Sequence, residues 1–417
     1  MNQLVLSPDQ QEAEDDFIGF IGSPTEQVFV LEGYAGTGKT TLVDRILTDL
    51  PATLATVKLI TQNHDDWEVI LTATTNKACE ALSLALSDPT RKVQTIQSFL
   101  KLRPVKDHAS RSSRLLPADP NIMHENKIIF IDEASFVDHD LLDYIFRFTK
   151  NCKIVFVGDP AQLAPIKAKG TPVFDAGFKT ASLSTVVRQA AGNPIIDLAT
   201  SFRNTVNGLG WFQFTPDGHH ITHLSRQDFE DRMILEFNRP DWRHNDSKVL
   251  AYTNKTVVAY NQAIRNIVEG IPELEAGDYA ICNQYINTKK CRLKTDQMVE
   301  ITDISSSREW DTDGWLVTMD AQQTAFMPSS LAARKAKLAA AHSVKDWNLV
   351  NYIENSWVDL RAAYACTINK SQGSTYDKVF IDLEDLKKCT NANTLARLMY
   401  VGVSRARYEV YMTGDLV

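Results

Sequence analysis

Short apolar, β-branched runs recur along the chain and alternate with stretches whose apolar positions fall three and four residues apart. "VFVLE" (28–32), "VILTA" (69–73), "KIIFID" (127–132) and "KIVFVGD" (153–159) come early, and "KVLAY" (248–252), "KVFIDL" (378–383) and "YEVYMT" (408–413) come late. Such runs predict strands, and the amphipathic helical stretches between them predict parallel connections with helices on both faces. The expected fold class is therefore α/β, with a parallel-sheet arrangement present twice.

Two segments break the alternation. Residues 101–126, "KLRPVKDHASRSSRLLPADPNIMHEN", hold three prolines and no Phe, Tyr or Trp, which reads as a small protruding excursion rather than core. Residues 271–350 mix alternating stretches, "QMVEITDI" and "GWLVTMD", with the helical and basic "SLAARKAKLAAAH". That mixture predicts a small β-rich insert carrying a helical arm.

Composition narrows the class. With 417 residues, 44% of them hydrophobic, the chain has enough apolar material for two or three cores. A formal net charge of −8, from 44 basic and 52 acidic residues, argues against a protein that coats nucleic acid by charge alone, while leaving room for a local basic groove. The six cysteines form no C-x-x-C pair, so neither a zinc site nor a disulfide framework is indicated, and buried thiols in a reducing compartment are expected. The opening "MNQLVLSPDQQEAEDDF" carries no basic leader and no apolar run reaches bilayer length. A cytoplasmic protein without membrane association is the expectation.

Candidate chemistry begins right after the first strand. "GYAGTGKTT" (33–41) fits G-x-x-x-x-G-K-[ST], with Gly33, Gly36, Thr37, Gly38, Lys39, Thr40 and Thr41 as the nucleotide-binding residues. Glycines let backbone N–H groups close around phosphate oxygens, the following helix adds positive potential, Lys39 reaches the β- and γ-phosphates and Thr40 ligates Mg²⁺. In "IIFIDEAS" (128–135) a strand ends in two carboxylates. Alone these are often only a solvated loop; behind a P-loop, Asp132 reads as the Mg²⁺ holder through water and Glu133 as the group that deprotonates the attacking water. In "VFVGDPAQLAPI" (155–166), the Gln162 amide can both donate and accept and so can sense a γ-phosphate, although without context it is an ordinary loop residue.

In order along the chain these stretches resemble the motifs of superfamily 1 helicases, in the 5′-to-3′ branch that includes RecD-like proteins. "GYAGTGKTT" resembles motif I, "LTATTNKA" motif Ia, "TIQSFLKL" the element before the pin, "FIDEAS" motif II and "GDPAQLAPI" motif III. "STVVRQ" resembles motif IV, "AYTNKTVVAYNQAIR" the segment after it, "INKSQGSTYDKV" motif V and "LMYVGVSRAR" motif VI. The resemblance implies two RecA-like P-loop domains: residues 1–100 with 127–183 as domain 1A, and 184–270 with 351–417 as domain 2A. It also implies a pin-like insertion at 101–126 and a small β-barrel-like insertion, 2B, at 271–350. The activity implied is ATP- and Mg²⁺-dependent movement 5′ to 3′ on single-stranded DNA, unwinding forks and displacing proteins in phage-type replication or recombination. Single-strand-binding or replication proteins would be partners, and the chain would act as a monomer.

Several roles follow from the resemblance residue by residue. Gln10 in "LSPDQ" matches the adenine-reading Q motif, and Arg188 and Arg405 match the two arginines that reach the γ-phosphate. Such arginines would stabilise transferring charge. Thr72, Thr74, Asn76, Lys77, Thr95, Ser98, Thr367 and Lys370 match the family's strand contacts; hydroxyl and amide groups there would hold phosphates with little net charge, as suits an acidic chain. Taken singly, each is as well read as a cap or turn residue. Motif V departs from the family at Asn369, where a histidine commonly stands, while Lys370, Gln372 and Gly373 match. In the pin, which lacks an aromatic, Leu115 and Leu116 would wedge a base pair and Arg111 and Arg114 would hold phosphates, a plain loop being the open alternative; Arg334 to Lys345 would clamp the strand or dock on the pin domain, and read as well as a solvated amphipathic helix. Two other classes stay open at this stage: a P-loop phosphotransferase, and a nucleotide-gated DNA-binding or recruitment module that no longer hydrolyses ATP. The presence of Glu133, Gln162, Arg188 and Arg405 speaks against the second.

Overall fold

The structure, a computed structural model, describes residues 6–61, 66–107, 112–164, 170–185, 192–268 and 274–416. Its contacts divide the chain into two compact units, one of residues 1–212 with 396–404 and one of 213–395 with 405–417.

The first unit is built on a six-stranded sheet in the order Lys179–Leu183, Val28–Gly33, Lys153–Gly158, Lys127–Asp132, Glu68–Ala73, Val93–Thr95. Every pairing in it is parallel. The alternation along one strand shows why its sequence is apolar throughout: Ile128 and Phe130 enter one buried cluster, Ile129 and Ile131 the other. Side chains of period two thus serve two cores, one shared with Phe17 and Phe20 of the helix Pro8–Gly22 and Leu42 and Ile46 of the helix Lys39–Thr61, the other with Leu141 and Ile145 of the helix His139–Arg147.

Two long-range polar contacts repair backbone defects. Pro51 lies inside the helix Lys39–Thr61 and has no N–H for the carbonyl of Leu47; the Arg91 guanidinium donates to that oxygen instead, at 2.9 Å. Lys153, only 7% exposed, donates its ammonium to the carbonyls of Phe20, Ser23 and Glu26 at 2.9, 2.5 and 2.6 Å, closing the C-terminal end of the first helix. Burial pushes the Lys153 pKa down, and the Glu26 carboxylate only partly opposes this.

The second unit holds a five-stranded parallel sheet, ordered Ile221–Leu224, Ala406–Thr413, Tyr376–Asp382, Ser247–Ala251, Ala365–Thr367. Phe229, Phe237, Trp242, Phe380 and Tyr411 pack on it. A separate antiparallel sheet joins Gln323–Pro328, Thr312–Met319, Met298–Glu309, Tyr279–Cys282 and Leu360–Ala362, around Ile301, Val317 and Met319. It therefore runs beyond residue 350, where the change of pattern alone would end it, because Leu360–Ala362 pairs with Tyr279–Cys282. The helices Leu331–Ser343 and Trp347–Ser356 form the arm. A buried ion pair of Arg265 with Asp278 ties the helix Asn254–Val268 to the entry of this sheet.

The 101–126 excursion forms an antiparallel hairpin of Leu102–Asp107 and Ser112–Pro117. Leu115 does not project as a wedge: it packs against the core cluster that contains Phe99 and Leu102, and its carbonyl accepts from the Tyr144 hydroxyl. Leu116 alternates to the other side and is 43% exposed, while Arg111 lies outside the described residues. Among the described residues no helix is long and apolar enough to cross a membrane.

Replacing Lys153 with Met leaves the buried Phe20 carbonyl and the partly buried carbonyls of Ser23 and Glu26 without their charged donor. The expected cost is about 2–4 kcal/mol, read as a lower urea midpoint at unchanged slope.

Candidate nucleotide site and strand-contact residues

Parallel pairing puts the C-terminal ends of the first unit's strands on one edge, and the candidate residues leave the sheet there. Gly33 ends one strand, Asp132 a second and Gly158 a third, with Ala73 in register with Asp132 and Glu32 with Gly158.

The P-loop is held closed by close approach. A Cβ at Gly33 would stand 2.7 Å from Thr37 Oγ1 and 2.9 Å from Leu183 Cβ, and one at Gly38, whose φ is +78°, 2.6 Å from Gln10 Nε2. Only glycine fits either place. The Thr37 hydroxyl donates to the Tyr34 carbonyl at 2.9 Å, and Lys39 Nζ donates to the carbonyls of Gly33 and Tyr34 at 2.6 and 3.0 Å. Gln10 is buried, donates Nε2 to the Thr37 carbonyl at 3.0 Å and accepts the Ser7 N–H at 3.0 Å. Its amide thus braces the loop from behind. The neighbouring Asp9 accepts the N–H groups of Ser184 and Thr185, both at 2.8 Å. Burial alone would raise its pKa, but these bonds and the Ser7 hydroxyl hold it well below the usual carboxylate range. Thr40 is half-buried in the first helical turn, whereas Thr41 beside it is exposed.

Asp132 accepts the Glu133 N–H at 2.8 Å. Burial pushes its pKa up, against the pull of that N–H and of the Lys39 ammonium. A half-buried acid near the P-loop lysine is a fitting oxygen ligand for a divalent cation, whose charge would favour the ionised form. Glu133 sits in the left-handed region, φ 53° and ψ 47°, where it caps the short 3-10 turn Ala134–Phe136. That conformation is uncommon for a residue with a side chain and is held by its surroundings.

Gln162 is buried, in the turn after Gly158. Two residues that sequence reasoning missed hold this turn. Arg397 donates Nη1 to the carbonyls of Pro160 and Gln162, both at 2.6 Å. Burial lowers its pKa, with Asp159 and Asp175 opposing. The Tyr400 hydroxyl donates to Asp159 Oδ2 at 2.5 Å and accepts the Ala35 N–H of the P-loop at 2.9 Å, so one group serves two motif loops. Their three-residue spacing on the helix Ala392–Ser404 was the available signal, since it puts both on one face. The Arg203 guanidinium, also unforeseen, lies 3.8 Å from the centre of the Tyr34 ring.

The expected strand contacts divide. Thr72 is fully buried and donates to the Phe130 carbonyl at 2.7 Å, which leaves it no surface for a phosphate. Thr74 is buried and donates to the Glu133 carbonyl at 3.0 Å. Asn76 and Lys77 are half-exposed on the first turn of the helix Asn76–Ala85. Thr95 caps the turn Ile96–Phe99 by accepting the Ser98 N–H, and Ser98 is exposed. In the second unit Thr367 is buried and accepts the Lys370 N–H as a helix cap. The exposed Lys370 ammonium meets Asp296 at 2.8 Å. Gly373 has a φ of +74° in the turn that follows. Arg405 is buried and donates to the Ser374 carbonyl at 3.1 Å, and Arg188 lies outside the described residues.

Comparison with known proteins bears on family and fold. Residues 5–221 match the family described as an AAA domain, and residues 362–413 the UvrD-like helicase C-terminal domain. The chain is 25% identical to the ATP-dependent DNA helicase dda of Enterobacteria phage T4, over 91% of this chain and 93% of that one. Among solved structures, a Pif1 helicase studied in DNA unwinding at forked double-stranded DNA aligns with TM-score 0.55 and 18% identity, over 99% of this chain and 93% of the other. The Bacteroides Pif1 helicase in complex with ADP-AlF3 and single-stranded DNA aligns with TM-score 0.53 and 16% identity, over 100% and 94%. These similarities confirm the fold expected from sequence, two RecA-like parallel-sheet domains.

Tyr400→Phe keeps the ring and removes the shared hydroxyl. The Asp159 carboxylate and the Ala35 N–H each lose a partner, an expected loss of about 1–3 kcal/mol, measurable as a lower thermal midpoint together with weaker binding of a fluorescent adenine nucleotide.

Proposed function

We propose that this chain, which belongs to the AAA-domain family and is homologous to the superfamily 1B helicases, is an ATP-dependent DNA helicase that moves 5′ to 3′ along single-stranded DNA. The observation that carries the reading is the shared edge of the first unit's sheet. There the P-loop lysine, the paired acids Asp132 and Glu133, and the strand-contact segments at 75–77 and 95–98 all leave the same edge of one parallel sheet.

In this reading Lys39 exchanges the carbonyls of Gly33 and Tyr34 for phosphate oxygens, and the P-loop N–H groups take up the remaining charge. Thr40 and Asp132 would hold Mg²⁺, which when bound would supply charge stabilisation to the phosphates. Glu133 accepts the proton of the attacking water, and Gln162, Arg188 and Arg405 answer to the γ-phosphate. Gln10 fixes the loop and contacts adenine. Asn76, Lys77, Ser98 and Lys370 keep their polar groups near the surface and are the stronger candidates for strand phosphates. A monomer is the proposed working unit.

The first test is ATP hydrolysis by wild type and Lys39→Ala, with and without single-stranded DNA. Stimulation by DNA is expected in the wild type, with loss of turnover by about a hundredfold or more in the variant and DNA binding retained. Hydrolysis that ignores DNA would sink the helicase reading. Polarity is checked with duplexes carrying a single 5′ or 3′ tail, the 5′-tailed one being unwound.

The hairpin makes a separable prediction. Opening one stacked pair costs about 1.4 kcal/mol, so shortening the hairpin by residues 106–113 is expected to slow fork unwinding while leaving DNA-stimulated hydrolysis in place. Unchanged unwinding would show that the hairpin is not a pin.

A further inference from the structure

Thr74 matches a strand contact by motif, yet its side chain is 6% exposed and points its hydrogen bond the other way. Its hydroxyl donates to the Glu133 carbonyl at 3.0 Å, and its N–H donates to the Asp132 carbonyl at 3.2 Å. One residue therefore holds the backbone of both acids. The Thr74 carbonyl in turn accepts the Gln97 side-chain amide at 3.2 Å.

These bonds place Thr74 between two candidate strand-contact segments and the proposed general base. On one side the chain runs directly into Thr75, which caps the helix carrying Asn76 and Lys77 by accepting the Ala78 N–H. On the other, Gln97 lies between Thr95 and the exposed Ser98 on the turn Ile96–Phe99. Gln97 is half satisfied: its Nε2 is bonded to Thr74 while its Oε1 is buried with no partner among the described residues. Glu133 is the natural receiver of a displacement. Its left-handed backbone costs on the order of 1 kcal/mol or more, and its carbonyl accepts both the distant Thr74 hydroxyl and the nearby Phe136 N–H.

We infer that Thr74 is a positioning residue that couples single-stranded DNA on segments 75–77 and 95–98 to the setting of Glu133. Movement of either segment on the strand shifts the end of Glu68–Ala73, and the Thr74 hydroxyl passes that shift to the peptide that aims the glutamate. Hydrolysis then responds to DNA without the strand touching the acids. The inference rests on the helicase reading above, and goes beyond it by naming the route through which DNA acts on the reaction.

The test compares wild type, Thr74→Val, Thr74→Ser and Gln97→Leu for three quantities: affinity for single-stranded DNA, KM for ATP, and the ratio of kcat at saturating DNA to kcat without DNA. Thr74→Val, which keeps the shape and loses the hydroxyl, is expected to lower that ratio at least tenfold, with DNA affinity and KM within about threefold of wild type. Thr74→Ser is expected to restore most of the ratio, and Gln97→Leu to lower it by a smaller factor. An unchanged ratio in Thr74→Val overturns the inference. So does a tenfold loss of DNA affinity at an unchanged ratio, which would make Thr74 a strand contact, or an equal fall in both rates, which would make its role purely structural. Thermal midpoints of all four proteins separate misfolding from uncoupling, and Thr74→Ser with Gln97→Leu decide the matter where Thr74→Val is unstable. If the wild type itself shows no stimulation, the helicase reading fails, and that outcome is distinct from any of these.

Discussion

Parallel hydrogen bonding among Val28–Gly33, Lys153–Gly158, Lys127–Asp132 and Glu68–Ala73 is the constraint from which the candidate site follows. In an antiparallel sheet adjacent strands would end on opposite edges, and the turn after Gly158 and the segment after Ala73 would leave on the edge away from the P-loop and the paired acids. In a parallel one, each strand delivers its loop to the same edge, and residues far apart in sequence become neighbours there. The cost of that arrangement is burial on both faces, which explains why the middles of these strands are apolar and their charged residues stand at or near the ends.

Once strands are buried this thoroughly, polar groups near them have to be satisfied by partners within the protein. Arg91 serves the carbonyl released by Pro51, Lys153 serves three carbonyls at and just beyond the end of the first helix, and Tyr400 serves Asp159 together with a P-loop amide. Each of these is a side chain reaching across the fold to finish a hydrogen bond that local structure leaves open. Where such completion falls next to the paired acids, as with Thr74, it also supplies a mechanical connection. Glu133 shows the counterpart: an uncommon backbone conformation retained at the point where the chemistry is proposed to occur.

Much of the architecture was legible without coordinates because its signals are local. A buried strand announces itself in five or six consecutive apolar residues, and a P-loop needs only the nine residues from Gly33 to Thr41. The strand contacts were less legible. Thr72, Thr74 and Thr367 share a residue type and a motif context with exposed neighbours, but strand alternation and helix capping turn their hydroxyls inward. Leu115 and Leu116 are equal in sequence and opposite in fate for the same reason, since successive side chains of a strand leave on opposite faces.

By itself the sequence determined the two parallel-sheet domains, the position of the phosphate loop and the acids that follow the strand Lys127–Asp132, because each depends on residues within one or two turns of one another. Only the tertiary structure decided that Tyr400, which lies 365 residues from Ala35, would meet the P-loop, that Lys153 would cap a helix 130 residues earlier, and that Thr74 would hold Glu133. Those contacts depend on strand register and on which helix face packs inward, and both are set by the whole core rather than by any one segment.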